Sequence, residues 1–558
     1  MGRDIWGTAV SAVLAVTLIA PAAAHHLAGF AQPPPASDTR SDFVGNDACR
    51  PCHSAIVTSY ERTAMAQTSG PARGHVVAGT FTHPSSGIRY TISEDQDGAA
   101  LTYQSVHDKD GSGRVALDYY VGSNTRGRTY LFAIDGFLFQ SPVNYYALRS
   151  TWDMSPGYER VTTLPLNHPV DATCLFCHAS AVQPVSAGTA NRFVGAPFLQ
   201  SGVGCERCHG AGGSHIRDPR PETIINPARL SPEARDSVCM QCHLEGLSRI
   251  ARSGHRVDDF RPGQRLGDIL TVFISATRDK QTPGAVSHVE SLAASRCKQA
   301  SGDRMTCSTC HDPHRTPAAA ERAEYYRQRC LSCHAPLAND HHPAERRCTV
   351  CHMPRLESPD VSHTAVTDHR ILRKPRVDHD APAPAEIRLA PFGPAQADPR
   401  DLGLAYAEIA PRGGAYGQAR AMELLQRSAE SSPADAEVLT RLGFLRHQRG
   451  EVNEAEDLYR RALNTGASQP VAAANLAVIR AGQGALGEAL SLWQASFDVQ
   501  PYVEEIGLNL ALAQCLAGQE AKAAVTVDRL LRFHPDSSAA RALREEIAQK
   551  NRCARHKS

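Results

Sequence analysis

The apolar and polar positions along this chain follow different rhythms in successive stretches. Between residues 75 and 165, runs rich in aromatic and β-branched residues recur: RYTIS (89–93), ALTYQSV (100–106), RVALDYYV (114–121), TYLFAI (129–134) and FLFQ (137–140). DQDG, DKDGSG and IDG separate them, and Asp135-Gly136 is the dipeptide that a type I′ hairpin prefers. This stretch predicts a small antiparallel sheet. From 166 to 375 no period persists, and frequent Gly and Pro predict short helices joined by loops. Residues 376–400 are Pro- and Ala-rich and read as a linker. Beyond 401 a helical pattern repeats every 34 residues. Leu442-Gly443, Leu476-Ala477 and Leu510-Ala511 are in register, as are Ala421, Ala455, Ala489 and Ala523, and also Leu425, Tyr459, Trp493 and Val527.

Small residues where paired helices touch, with large ones filling the gap, at a period of 34 is tetratricopeptide spacing. Residues 401–550 therefore predict helical hairpins, with Pro433 and Pro535 in turns. The first unit (401–432) is out of phase in its first helix, and a capping helix is expected at 537–549. The fold class expected is multidomain. A loop-rich, mainly α domain with a small antiparallel β insertion precedes an all-α helical-hairpin array.

The candidate chemistry lies in the cysteines. Cys-x-x-Cys-His occurs seven times, at Cys49, Cys52 and His53; Cys174, Cys177 and His178; Cys205, Cys208 and His209; Cys239, Cys242 and His243; Cys307, Cys310 and His311; Cys330, Cys333 and His334; and Cys348, Cys351 and His352. These hold 14 of the 17 cysteines, where a shuffled chain would give about 0.02 copies of the motif. The pattern is the attachment signature of a c-type haem. On a helical turn, residues i and i+3 share a face, so both thiols reach the vinyl groups of one porphyrin. The histidine beside them supplies the proximal iron ligand. Seven covalent haem c groups are expected. Cys330, Cys333, Cys348 and Cys351 taken alone approach zinc-ribbon spacing, but zinc does not require a histidine after every pair. A thioredoxin-like dithiol comes singly beside a βαβ pattern, which is absent here.

The motifs divide the rest of the chain into a first haem segment (45–74), the β-rich insertion (75–165) and a six-haem domain (166–375). Only 13 residues separate His334 from Cys348, too few for an ordinary side-chain core, so the porphyrins must supply most of the buried apolar surface. Residues 8–24 are apolar, follow Arg3 and end in small residues, so that 1–24 resemble a secretory signal peptide. An uncleaved N-terminal anchor is the alternative. A Pro-rich leader (25–44) follows. Export and a periplasmic location are expected, with membrane contact only through that segment. A net charge of +1 gives no footprint for nucleic acid.

A low-spin haem iron needs a sixth ligand, usually His or Met. Of 25 histidines, the seven in motifs leave 18. Distal candidates are His168, His215 (six residues beyond His209), His288, His314, His363 and His369, with Met65, 12 residues after His53, for the first iron. A Met ligand would raise that haem's potential. His83, His255 and His342 rank behind them. His447, His534 and His556 are expected at the surface, as are His25 and His26. Of the cysteines outside the motifs, Cys515 reads as a small core residue, while Cys297 and Cys553 take no role.

With these residues placed, the chain resembles the periplasmic multihaem cytochromes grouped with the tetrahaem acceptor of hydroxylamine oxidoreductase. In particular, it resembles those carrying a C-terminal tetratricopeptide array. YVGSNTRGRTYLFAIDGFLFQSPVNYY, WDMSPGYER, CLFCH, GCERCHGAGGSH, INPARLSP, VCMQCHLEG, CSTCHDPH and CHMPRLESPDVSHTAVTDHR carry the likeness across most of residues 45–372. The resemblance implies electron transfer through closely stacked, mainly bis-His haems, and supports His215, His363 and His369 as ligands. The wider group places a histidine downstream of its first motif where this chain offers Met65.

An electron carrier whose repeats dock a redox partner protein is the favoured reading. The alternative is an oxidoreductase acting on a small nitrogen or sulfur compound at one five-coordinate haem. Related ammonia-forming nitrite reductases mark their active haem with Lys in place of the motif's His, and all seven motifs here end in His. Tyr119, Tyr120, Tyr145, Tyr146 and Trp152 could line a pocket, but sheet core is the simpler role.

Overall fold

The structure, a computed structural model, describes residues 42–105, 111–276, 283–338, 341, 347–373, 386–393 and 396–549. The expected signal peptide, most of the Pro-rich leader and much of the expected linker lie outside the described residues, as do His25, His26, His342, Cys553 and His556. The fold is a mixed α/β region of loops, short helices and small sheets, followed by an all-α array of helical hairpins.

The chain opens with α1 (Asn46–Tyr60), which carries the first motif and bends at His53. Ten strands follow: β1 (Ser69–Pro71), β2 (Gly79–Thr82), β3 (Ile88–Asp95), β4 (Gly98–Ser105), β5 (Ser112–Ala116), β6 (Tyr119–Val121), β7 (Gly127–Ile134), β8 (Phe137–Gln140), β9 (Val143–Tyr146) and β10 (Thr151–Met154). They make two antiparallel sheets where the sequence predicted one. One runs β2-β3-β4-β5, the other β1-β6-β7-β9-β10 with β8 also paired to β7. The difference has a local cause. RVALDYYV reads as one strand, yet the chain leaves the first sheet after Ala116 and joins the second at Tyr119. The β7–β8 hairpin turns on Asp135 and Gly136, both at positive φ (52° and 80°), as a type I′ turn requires. Tyr120, Tyr146 and Trp152 are buried in the core of these sheets, and Tyr119 and Tyr145 lie on their strands.

The remaining motifs sit on short helices: α2 (Ala172–Phe176), α3 (Glu206–His209) followed by α4 (Gly213–Arg217), α5 (Pro232–His243), then α6 (His288–Ala294), α7 (Arg296–Ser301), α8 (Cys307–Cys310), α9 (Arg322–His334) and α10 (Cys348–His352). Between them run the strand pair β11 (Ala179–Val182) and β12 (Phe198–Ser201), then β13 (Ser248–Ala251) and β14 (Leu270–Ser275). The pair β15 (Arg355–Glu357) and β16 (Ala365–Thr367) comes next, and β17 (Leu389–Pro391) closes a sheet β13-β14-β17. No strand was predicted at β14. All six of its residues are buried, so it shows no alternation. Within the stretch read as a linker, β17 pairs with β14.

The array comprises α11 (Pro399–Ser431), α12 (Ala436–Gln448), α13 (Val452–Asn464), α14 (Pro470–Gly482), α15 (Leu486–Val499), α16 (Glu504–Leu516), α17 (Glu520–Phe533) and α18 (Ser538–Ala548). The out-of-phase first unit is α11, broken at Gly414 (φ 59°) three residues after Pro411, and α18 is the cap. Leu442, Leu476 and Leu510, the four register alanines, and Leu425, Tyr459, Trp493 and Val527 are each 1 % exposed or less.

The array packs against the rest of the chain. Its turns at 500–503 and 534–537 face the β-rich part. Tyr502 and Phe533 meet Phe137 and Phe139 edge-on, with ring centroids 5.3–6.3 Å apart. Arg532 and Arg529 pair with Asp135, and Asp536 accepts the Leu164 amide at 2.5 Å. A second contact places Leu404, Tyr406 and Ile409 of α11 on Ile250, Phe273 and Leu389. Beside it Arg400 bonds Asp435 (2.5 Å), Asp401 (2.9 Å), Glu437 (3.1 Å) and the Ala251 carbonyl (2.9 Å). His534, expected at the surface, is buried, with Nε2 2.8 Å from the Tyr502 carbonyl. Cys515 is buried as expected, and is also disulfide-bonded.

Truncating Phe533 to alanine is expected to cost about 3–5 kcal/mol in denaturant unfolding, as for a large buried aromatic. Val525→Ala, at a side chain 68 % exposed, is the control and should stay within about 0.5 kcal/mol of the parent.

Candidate haem-binding site

The motifs come together in space. Thiols of different motifs lie beside one another in pairs: Cys49 with Cys205, Cys177 with Cys242, Cys239 with Cys307, and Cys330 with Cys348. The first motif therefore adjoins the third, the second the fourth, the fourth the fifth, and the sixth the seventh. Burial pushes Cys205 up to about 12, and Cys208 and Cys330 up to about 11, so these sulfurs are neutral thiols at neutral pH. Among the described residues no three or more His, Cys, Asp or Glu converge to hold a bare metal ion.

Four motif histidines each face a second imidazole, and a fifth meets one edge-on. His53 and His215 lie 6.5 Å apart between ring centroids with planes 19° apart, His209 and His314 6.0 Å and 16°, His311 and His369 6.2 Å and 32°, and His352 and His341 6.0 Å and 24°. His243 and His288 are closer, 5.3 Å, and perpendicular. An imidazole nitrogen sits about 2 Å from a first-row metal, so two imidazoles on opposite sides of one ion place their centroids about 6 Å apart.

The ring nitrogens are already sorted. Nδ1 lies 2.8 Å from a backbone carbonyl in His209 (Ile225), His352 (Leu372) and His369 (Thr367), and 3.1 Å in His215 (Arg220) and His288 (Val286). A carbonyl only accepts, so Nδ1 carries the proton and Nε2 keeps the lone pair a metal needs. Burial holds His178, His209, His243, His311 and His369 below the usual imidazole range. Burial, with His369 and His243 adding to it, takes His288 down to about 3. Each is therefore neutral at neutral pH, which is the ligating form.

Glu206 explains how His215 reaches the first motif. Its buried carboxylate accepts the amides of Val44 (2.9 Å), Gly45 (2.9 Å) and Gly212 (2.7 Å), joining the start of α1, the third motif and the glycine-rich step. The step needs its glycine, because a Cβ on Gly213 would fall 2.2 Å from Asp42 Oδ1. Tyr60 adds a hydrogen bond to the Val203 carbonyl at 2.6 Å. The residue across from His53 is thus His215, where Met65 was expected. Met65 lies in the turn after α1, its carbonyl bonded by the Val203 amide.

Two other candidates are not brought to a motif histidine in the same way. His168 packs edge-on against Tyr158 at 5.5 Å. His363 spends Nε2, the nitrogen an iron would take, on Asp153 at 2.6 Å. His83 bonds Ser86 and the Glu159 carbonyl through its two nitrogens. Sequence reasoning missed His341, although it lies only seven residues before Cys348. It also missed Glu206 and Arg207, the two variable positions of the third motif.

The chain's own atoms fit a porphyrin. Arg207, 9 % exposed, stacks 3.5 Å over Phe176 and lies among Cys177, Cys208 and Cys242. Its Nε has no partner. A buried cation with a spare donor calls for an anion, which a propionate supplies. Helices α7 to α10 bury no side chain at all, and Leu337 and Val350, beside the sixth motif and inside the seventh, are 47 % and 49 % exposed. Flat apolar groups laid on these helices would cover them.

Comparisons with known proteins agree in kind. The family "cytochrome c554 and c-prime" matches residues 150–210, and the "doubled CXXCH motif" matches residues 300–339. No curated protein matches the chain. Among solved structures, the outer cell wall cytochrome OcwA aligns at 15 % identity over 82 % of this chain and 100 % of its own, with a TM-score of 0.40. MamA aligns at 16 % identity over 27 % of this chain and 93 % of its own (TM-score 0.23). A tetratricopeptide repeat protein from Parabacteroides merdae does so at 21 % identity over 27 % and 60 % (TM-score 0.24). These structural likenesses are too distant to argue from. The motif matches and the fold together define a c-type cytochrome domain, a class that transfers electrons, joined to a tetratricopeptide-like array of the kind that docks proteins.

Glu206→Gln turns one carboxylate acceptor into a donor facing an amide. It is expected to destabilise the chain by about 1–3 kcal/mol in denaturant unfolding.

Proposed function

We propose that this chain is an extracytoplasmic, periplasmic electron carrier. It holds seven covalent c-type haems, and its repeat array docks a redox partner. The observation that carries the reading is the set of facing imidazoles: His215, His314 and His369 stand opposite His53, His209 and His311. Bound there, each iron porphyrin supplies a one-electron couple. The side chains do the rest. Backbone carbonyls fix the tautomers, buried imidazoles stay neutral, and where two histidines face each other both would hold the iron and leave no ligand place on it for a small molecule. Adjoining motifs keep neighbouring attachment points close, which favours relay over isolated storage. An exported location follows from the attachment chemistry, which is completed outside the cytoplasmic membrane in c-type cytochromes. Among the described residues no helix is long and apolar enough to cross a membrane.

The array's partner surface is taken to be the edge away from the cytochrome part. There the turns at Gly450, Gly484 and Gly518 are open, and an added side chain would meet nothing within 4 Å.

The second reading, an oxidoreductase with one open iron, has a specific place. Among the described residues no ring contact sets a second imidazole against His178 or His334; of the two, His178 is the buried one, its Nδ1 2.8 Å from Thr68 Oγ1 beside β1. Carbon monoxide added to the reduced, exported protein separates the two. A carrier with filled axial positions should show no displaced Soret intensity. A change equal to one haem of seven would favour the enzyme. In the same preparation Met65→Ala should leave spectrum and potentials unchanged, while His215→Ala should convert one low-spin haem to high spin.

A further inference from the structure

We infer that His341 is the second iron ligand at the seventh attachment motif, opposite His352. The inference rests on the reading that Cys348 and Cys351 carry a c-type haem, and goes beyond it by naming a ligand that no motif marks. Three observations carry it. The rings of His341 and His352 are nearly parallel, 24° apart, with centroids separated by 6.0 Å. That geometry falls among the other near-parallel pairs, which span 6.0–6.5 Å and 16–32°. Rings in direct face contact would lie closer, whereas two nitrogens about 2 Å from one ion account for the gap.

His352 is also oriented for the task. Its Nδ1 lies 2.8 Å from the Leu372 carbonyl and its own carbonyl accepts the Leu372 amide at 3.1 Å, so Nε2 is the ring nitrogen left to take a metal. Finally, the seventh motif needs cover. Helix α10 buries no side chain, Val350 inside the motif is exposed, and Cys348 meets Cys330 of the sixth motif. The connection between His334 and Cys348 cannot form a core of its own. His341 stands at its midpoint, seven residues before Cys348. The ligand then comes from the segment before the motif, whereas His369 reaches His311 from beyond it.

The test uses the full exported holoprotein and three variants, His341→Ala, His342→Ala and His341→Met. Readouts are intact mass for haem count, mass of the peptide holding Cys348 and Cys351, low-temperature electron paramagnetic resonance, and carbon monoxide binding to the reduced form. His341→Ala is expected to keep every haem, to convert one from low to high spin, and to add one carbon monoxide site per chain. His342→Ala should match the parent. His341→Met should restore low spin and raise one midpoint potential. A haem-bearing peptide with an unchanged spin state in His341→Ala, or the spin change appearing in His342→Ala instead, would overturn the ligand assignment alone. A peptide with bare thiols would overturn it together with the haem reading beneath it.

Discussion

The segment between residues 296 and 352 has to be held together by something other than its own side chains. Four helices lie in it, and none buries a residue. Hydrophobic burial is the main force that offsets chain entropy. A stretch with three Cys-x-x-Cys-His motifs and no apolar core would gain its missing cover from covalently bound, flat, apolar groups between its turns. The exposed Leu337 and Val350 and the spare donor of Arg207 mark the same requirement from the protein's side.

The rest of the fold meets that requirement by providing a wall. The two β-sheets and the helical array share one aromatic junction, where Phe137, Phe139, Tyr502 and Phe533 meet edge-on, and a polar hub around Arg400 ties α11 and α12 to the β13-β14-β17 sheet. Breaking a buried ionic hub is costly because the partner charges stay behind unpaired. The junction therefore fixes where the array sits. Thiols of the second to fifth motifs are all half-buried, while Cys52, Cys333 and Cys351 of the first, sixth and seventh reach the surface.

Much of this was legible in the chain itself. Seven copies of a five-residue signature need no tertiary information, because each is one helical turn. The 34-residue register placed its alanines and large apolar residues in buried positions, since a repeat contacts only its neighbours. The type I′ hairpin at Asp135-Gly136 was equally local. Less legible was β14, buried on both faces, and the change of sheet after Ala116, which alternation runs straight through. His534 looked like a surface residue until the turn it occupies was found packed against the β-rich part.

The distal partners mark the boundary. Which residues are candidates to attach a haem was legible in the sequence alone, because two cysteines and a histidine lie within five consecutive positions. Which residue stands across from each of them was decided by tertiary structure. His215 reaches His53 only because Glu206 draws two distant amides and a glycine-rich step together, and His363 is diverted to Asp153 by a neighbour 210 positions away. Proximity in the chain fixes bonds made within one helical turn; contacts across a porphyrin's thickness depend on how separate segments fold onto one another.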